Sequence, residues 1–320
     1  MSLGTFAQAL AEQRIAKWLL ENFPLKLQFA LSLPTRYVDG RSLQFNSLGE
    51  NIEEGTPIAA GYGLGQCDPY QDQSFDNWEQ RLFPFGLPAS MYQSCENALD
   101  IFTSTLNDVD TAQFAKACRR AMYRGFRMLE NGVAGNPGEF NGLRALVPPA
   151  MTVTVGGVPT LDQFDEAFFR VVDNEGYPNA VMATTNSLMR YLKLRRDAGL
   201  EEQYIEIEVP DPITGKRVAR WPSIHGVPFL INDAMEFGPE GESVYFMVMG
   251  DNGHHTPGHG LTLIIPQVRR HHMFIKRVLP ITANAEGGLD STATVAVTWP
   301  MGIAYGSAGA VSRLADIEPL

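Results

Sequence analysis

The chain has 320 residues, of which 44% are hydrophobic and 19% charged, and it carries a formal net charge of −11. That length can bury a large core and suggests about two domains, with the make-up of an ordinary globular protein and no apolar run of the ~18 residues that a membrane-spanning helix needs. The acidic balance argues against a tight grip on nucleic acid, which takes clustered Lys and Arg, yet it suits a protein that lies near DNA without adhering to it.

The chain starts MSLGTFAQALAEQRIAKWLL, which has no basic region followed by an apolar block and a small-residue cleavage site, so no secretory leader is expected. Residues 5–22 are predicted as a helix. Thr5 and Gln8 suit a capping box, Phe6, Leu10, Ala11, Ile15, Trp18 and Leu19 recur at near-helical spacing, and Pro24 stops the run. In TRYVDGRSLQF, 35–45, Asp39-Gly40 between two β-prone runs signals a hairpin. Residues 46–77 then lose periodicity while keeping Tyr62, Tyr70 and Phe75. Two readings fit this composition: a disordered loop, or a projecting hairpin arm that gains order only against another molecule.

WEQRLFPF, 78–85, reads as a strand. SMYQSCENALDIFTSTL and DTAQFAKACRRAMYRGFRMLENGV read as helix, with a break expected near Asn107-Asp108-Val109-Asp110. In the second part Phe114, Cys118, Ala121, Met122, Gly125 and Leu129 share one face. The turn-forming stretch NGVAGNPGEFNG, 131–142, ends it. MTVTV is a strand. Thr160 with Gln163 predicts a second capping box, before a helix whose Leu161, Phe164, Phe168 and Val171 make one face. AVMA is a short buried strand. Thr185 is the expected cap of NSLMRYLKLRRDA, and Gly199 closes that helix. YIEIEV, GVPFLIND, SVYFMVMG and LTLIIP follow as β-type runs, so 150–280 reads as an α/β or α+β unit. In the tail, Thr292, Thr294, Ala296 and Thr298 alternate with Ala293, Val295, Val297 and Trp299, the pattern of a half-buried strand. No repeat and no low-complexity segment occurs.

Chemistry is suggested at one place. GHHTPGHGLTL, 253–263, contains HTPGH before an apolar run, which resembles one motif of the metallo-β-lactamase superfamily. Five of the six histidines, His254, His255, His259, His271 and His272, lie in this neighbourhood. A two-metal hydrolase also needs an upstream HxHxDH, and the only earlier histidine is His225. His255 and His259 have helical ligand spacing, but Pro257 and Gly258 between them make the segment a turn. GYGLG, 61–65, precedes no helix, and ITGKR, 213–217, lacks the glycine and hydroxyl of a phosphate loop. Glu201-Glu202 and Glu53-Glu54 sit in polar, solvated runs. Cys67, Cys95 and Cys118 form no CxxC pair, so no disulfide framework or thiolate metal site is expected, and a reducing compartment is the default. Cys118 reads as a buried apolar residue. No catalytic, cofactor-binding or metal residue is assigned, and no enzymatic activity is expected.

The order of segments resembles a known family. SLPTRYVDGRSLQF, LFPFGLPASMYQ, EFNGLRALVP, PNAVMATTNSLMRYL, HGVPFLIND and VAVTWPMGIAYGSAGAVSRLADI follow one another as in the major capsid proteins of tailed double-stranded DNA phages, with the Hong Kong 97-like coat fold. The resemblance implies an α+β chain with an N-terminal arm (1–38), an extended loop (39–88), a long spine helix with part of the peripheral domain (89–144), an axial domain (145–282) and closing strands of a discontinuous peripheral domain (283–320). It further implies self-assembly through pentamers and hexamers into an icosahedral shell around packaged DNA, without sequence-specific binding and without a membrane. Portal and scaffold proteins, and decoration proteins, are the other expected partners, and the expected locations are the virion capsid and, during assembly, the host cytoplasm. No cofactor is implied. An encapsulin, a compartment enclosing enzymes, is the alternative within the fold; a histidine-bound metal hydrolase is the alternative outside it. On the capsid reading GHHTPGHGLTL is a turn between two axial-domain strands, and its histidines, if near a symmetry axis, would respond to pH or capture an ion.

Overall fold

The computed structural model of the chain describes residues 33–38, 42–48, 78–84, 86–95, 105–174, 176–211, 215–235, 241–250, 260–266, 275–278, 292–304 and 306–318. The expected helix over 5–22, the Asp39-Gly40 pair, most of the 46–77 stretch and the five clustered histidines lie outside these residues.

The described elements begin with β1 (Thr35–Val38), β2 (Ser42–Leu48), β3 (Trp78–Pro84) and β4 (Ala89–Cys95), then α1 (Thr105–Asn131) and the short α2 (Leu143–Leu146). β5 (Thr152–Gly157), α3 (Leu161–Asp173), β6 (Ala180–Ala183) and α4 (Thr185–Asp197) alternate. β7 (Tyr204–Asp211), β8 (Gly215–Ile224), β9 (Val227–Ile231) and β10 (Glu242–Met247) follow, and β11 (Thr262–Pro266), β12 (Ile275–Val278), β13 (Thr292–Thr298), β14 (Gly302–Ala304) and β15 (Val311–Ile317) complete the order.

The main sheet has seven strands in the order β5-β15-β10-β6-β9-β8-β7. β5 runs parallel to β15 and β6 parallel to β9, while the other neighbours are antiparallel. Its centre is apolar on both faces: every residue of β6 and β10 is buried, as expected for strands covered on both sides. α3 and α4 cover part of it. Thr160 caps α3 with the full reciprocal box to Gln163. Phe164, Ala167, Phe168 and Val171 form its buried stripe, and Ser312 Oγ on β15 donates to Ala167 O at 2.5 Å. Phe168 packs edge-on against Phe246 of β10, with ring centroids 6.2 Å apart.

α1 buries Cys118, Ala121, Met122, Gly125, Phe126 and Leu129. Phe126 meets Trp299 in a T-shaped contact at 5.3 Å. A Cβ at Gly125 would lie 2.6 Å from Met301 Sδ, so only glycine lets the helix approach this closely. Three smaller sheets are described beside the main one: β12-β13-β4, β1-β11-β14 and the β2-β3 pair.

Several local expectations change. β1 and β2 flank Asp39-Gly40 but do not pair with each other; β1 pairs in parallel with β11, and β2 pairs antiparallel with β3. The segment therefore separates two sheets instead of folding a hairpin. The helix expected from residue 90 is a strand through Cys95, because β13 supplies a seven-residue antiparallel partner from Ala89↔Thr298 to Cys95↔Thr292. Its Met91 is 60% exposed, so the apolar residues there do not form a buried helical face. α1 has no break at 107–110. Asn and Asp suit a first helical turn, where backbone N–H groups are free and the dipole favours negative charge. Thr184, not Thr185, caps α4: its side chain accepts from Ser187 N. Thr185 instead turns its N–H and hydroxyl to Asp233, both at 2.8 Å. Finally, β15 lies between β5 and β10 in the main sheet.

Candidate functional site

The base of the GHHTPGHGLTL stretch is described even though its histidines are not. Gly250 (φ +69°) and Gly260 close it, with Gly260 N donating to Gly250 O and Leu261 N to Val248 O. The segment leaves β10 in the main sheet and enters β11, which pairs with β1 and β14. It therefore joins two different sheets. Among the described residues, no group of three or more His, Cys, Asp and Glu is arranged to hold a metal ion.

His225 is the one histidine whose surroundings are described. It sits with Gly226 in the tight turn joining β8 to β9, with φ of +49° and +80°, the twist that suits a two-residue hairpin. Its Nε2 lies 2.9 Å from Asp165 Oδ1, its N–H donates to Gln203 Oε1, and its ring packs on Phe168 at 4.7 Å. One ring nitrogen and one ring face thus hold the turn on α3, through Asp165 and Phe168. Cys118 is a reduced cysteine buried in the α1 core.

The most unusual buried chemistry lies where the C-terminal end of α1 meets the main sheet. Glu130 is only 3% exposed. Tyr245 of β10 donates to its Oε1 at 3.4 Å, and Oε2 has no hydrogen-bond partner. Burial pushes the Glu130 carboxyl up to about 7, against the pull of Arg313 on β15 and Arg144 on α2. Burial, and next the charge of Glu130, push the Tyr245 phenol up as well. Beside them, Ser187 Oγ donates to Glu242 Oε2 at 2.5 Å and Arg313 Nε donates to Ser243 Oγ at 3.1 Å. This cluster ties α1, α4, β10 and β15 together. Ser187, Glu242 and Glu130 are all buried, so what the cluster offers is a joint between elements.

One surface feature went unread in the sequence. Opposite its buried face, α1 carries Lys116, Arg119, Arg120, Arg124 and Arg127, all exposed. Their spacing of 3, 4, 8 and 11 from Lys116 puts them on one side of a helix. The signal was present as helical periodicity of charge, but only the apolar periodicity of this segment was followed.

No family model matches the chain, and no curated protein matches it. Solved structures do. The holo-SrpI encapsulin complex from Synechococcus elongatus PCC 7942 aligns over 91% of this chain and 87% of its own, with a TM-score of 0.62 at 12% identity. A chain from Mycobacterium phage Adephagia aligns over 92% and 91%, with a TM-score of 0.55 at 10% identity. The capsid of a native GTA particle aligns over 90% and 89%, with a TM-score of 0.52 at 13% identity. The fold is the Hong Kong 97-like coat fold. Nearly the whole length of each chain is matched, so the Hong Kong 97-like layout covers α1, the main sheet and the smaller sheets together, and not one shared motif.

Proposed function

We propose that this chain is a major capsid protein that assembles with itself, through pentamers and hexamers, into an icosahedral shell around packaged double-stranded DNA. The observation that carries the reading is the likeness of fold, over about 90% of the chain, to the capsid of a native GTA particle. In this reading the protein is not an enzyme and belongs to the virion capsid after assembly in the host cytoplasm. Portal, scaffold and decoration proteins are its other partners.

The arm is 1–38, the extended loop 39–88 and the spine helix part of 89–144. The axial domain is drawn from 145–282. The sheet order favours adding β15 to it and giving β11 and β12 to the peripheral part, because they pair with β1, β14 and β13. A net charge of −11 fits a wall that does not bind the DNA it encloses, and many small contacts per subunit make a lattice of individually weak bonds stable.

Expressed protein is expected to form capsomers or closed particles visible by negative stain. A compact monomer in size-exclusion chromatography under every condition of salt, pH and concentration overturns the reading. The encapsulin likeness, with its TM-score of 0.62, supports a second reading as a compartment shell. Particles that protect DNA from nuclease favour the capsid; particles that co-purify with an enzyme favour the compartment.

A further inference from the structure

Two helices on one face of the main sheet carry opposite charge. Phe246, Val181 and Phe229 lie opposite one another across β10, β6 and β9, so their side chains share a face. Phe168 of α3 packs on Phe246, and Tyr191 of α4 packs on Phe229 and on Phe164 of α3. α3 and α4 therefore lie side by side on that face. Tyr245, next to Phe246 in β10, takes the other face, where it meets Glu130 of α1. α3 holds four carboxylates and one cation, a net −3. α4 holds four cations and one carboxylate, a net +3.

The outward ridges match in spacing as well as in sign. On α3, Asp162, Glu166, Phe169 and Asp173 are exposed at steps of 4, 3 and 4 residues. On α4, Met189, Lys193 and Arg196 are exposed at steps of 4 and 3. Each set is one ridge of a helix, on the side away from the sheet. Phe169 and Met189 are each 48% exposed, and both are residue types enriched where proteins meet. Glu166 pairs with Arg170, and Arg196 lies 3.5 Å from Glu202, yet their side chains remain 51% and 59% exposed. Among the described residues no ion pair joins the two ridges within the chain.

We propose that the acidic outward ridge of α3 in one copy of the chain docks on the basic outward ridge of α4 in a second copy. This names one contact within the shell reading and rests on it. Asp162, Glu166 and Asp173 then face Lys193 and Arg196. Phe169 is covered by Met189 and by the aliphatic stems of the same two cations. Like ridges repel, so α3 rejects α3 and α4 rejects α4, and only the crossed pairing is attractive. Opposite patches of this kind set register and suppress wrong partners more than they add raw affinity.

The test uses full-length chains and follows assembly by light scattering. One variant reverses the α3 ridge with Asp162→Lys and Asp173→Lys. Another reverses the α4 ridge with Lys193→Glu and Arg196→Glu. Each variant alone is expected to need about a tenfold higher protein concentration for half-assembly, the scale of a few exposed ion pairs. An equal mixture of the two is expected to form mixed oligomers holding both chains in equal number, because the basic α3 of one then meets the acidic α4 of the other. A chain carrying all four substitutions is expected to assemble alone, which shows that the substituted residues do not hold the fold. Variants that assemble as the parent does, a mixture no better than its components, or a four-substitution chain that stays dissociated overturn the docking surface and leave the shell reading intact. If the parent itself forms no oligomer, the shell reading fails and the docking surface fails with it.

Discussion

Replacing Glu130 by Gln tests the joint between α1 and the main sheet. Burial holds the Glu130 carboxyl at about 7 in the folded chain, against an ordinary value of 4.5. A raised acid works against the fold when ionised. Below 4.5 both folded and unfolded chains hold the proton and Glu130 carries no penalty. Between 4.5 and 7 the unfolded chain releases it first, so stability falls as pH rises, and above about 7 the full penalty is present. At 1.36 kcal/mol per tenfold, that interval corresponds to about 3 kcal/mol. Glutamine keeps the shape and cannot ionise. The variant should gain on the wild type by roughly 3 kcal/mol between pH 4.5 and pH 8, less ~1 kcal/mol wherever the contact with Tyr245 is weakened. Denaturant titrations of both proteins, at one protein concentration so that assembly contributes equally, give the difference directly. The two curves running parallel across this pH range would show that Glu130 titrates as an ordinary carboxylate and that its burial has been misread.

Two further substitutions probe how the helices are fixed. Thr184→Ala should cost about 1 kcal/mol in thermal or denaturant unfolding by removing the α4 cap to Ser187 N, whereas Thr185→Ala leaves the cap intact and removes only the exposed hydroxyl bond to Asp233; a larger loss from Thr185→Ala than from Thr184→Ala would reverse the assignment. Gly142→Ala places a Cβ 2.3 Å from Glu130 O, a backbone atom that cannot swing aside. Soluble yield should collapse, while Gly135→Ala, whose Cβ meets nothing closer than 4.0 Å, should express normally.

What could be read in the sequence was local. Thr160 and Gln163 announce a helix start because the cap is made by residues three apart, and the structure closes both bonds. β6 and the Val244–Met247 part of β10 could be recognised because a fully buried strand is a short unbroken apolar run. Pairing was harder. Asp39-Gly40 has hairpin chemistry, yet β1 finds β11 and β2 finds β3, partners that no local signal names. β8 went unread because GKRVARWPSI has no clean alternation, although it pairs along its length with β7. The Thr184 and Thr185 ambiguity arose from two adjacent cap-forming residues, and the distant Asp233 decided between them. Glu130 looked like one more polar residue at a helix end. Its burial comes from β10 and β15, more than a hundred residues away.

The net charge of −11 is unevenly divided along the chain. Taken whole, it sets the chain apart from proteins that clamp DNA. Taken by segment, residues 42–80 contribute −7 and 116–127 contribute +5. Two such blocks repel their own kind and attract each other at separations within about a Debye length, ~8 Å at physiological salt. A contact made by the exposed cations of 116–127 should therefore weaken as salt rises, while the apolar packing under Phe126, Trp299 and Met301 does not. Salt that dissociates copies of the chain without unfolding α1 is the behaviour this division of charge implies.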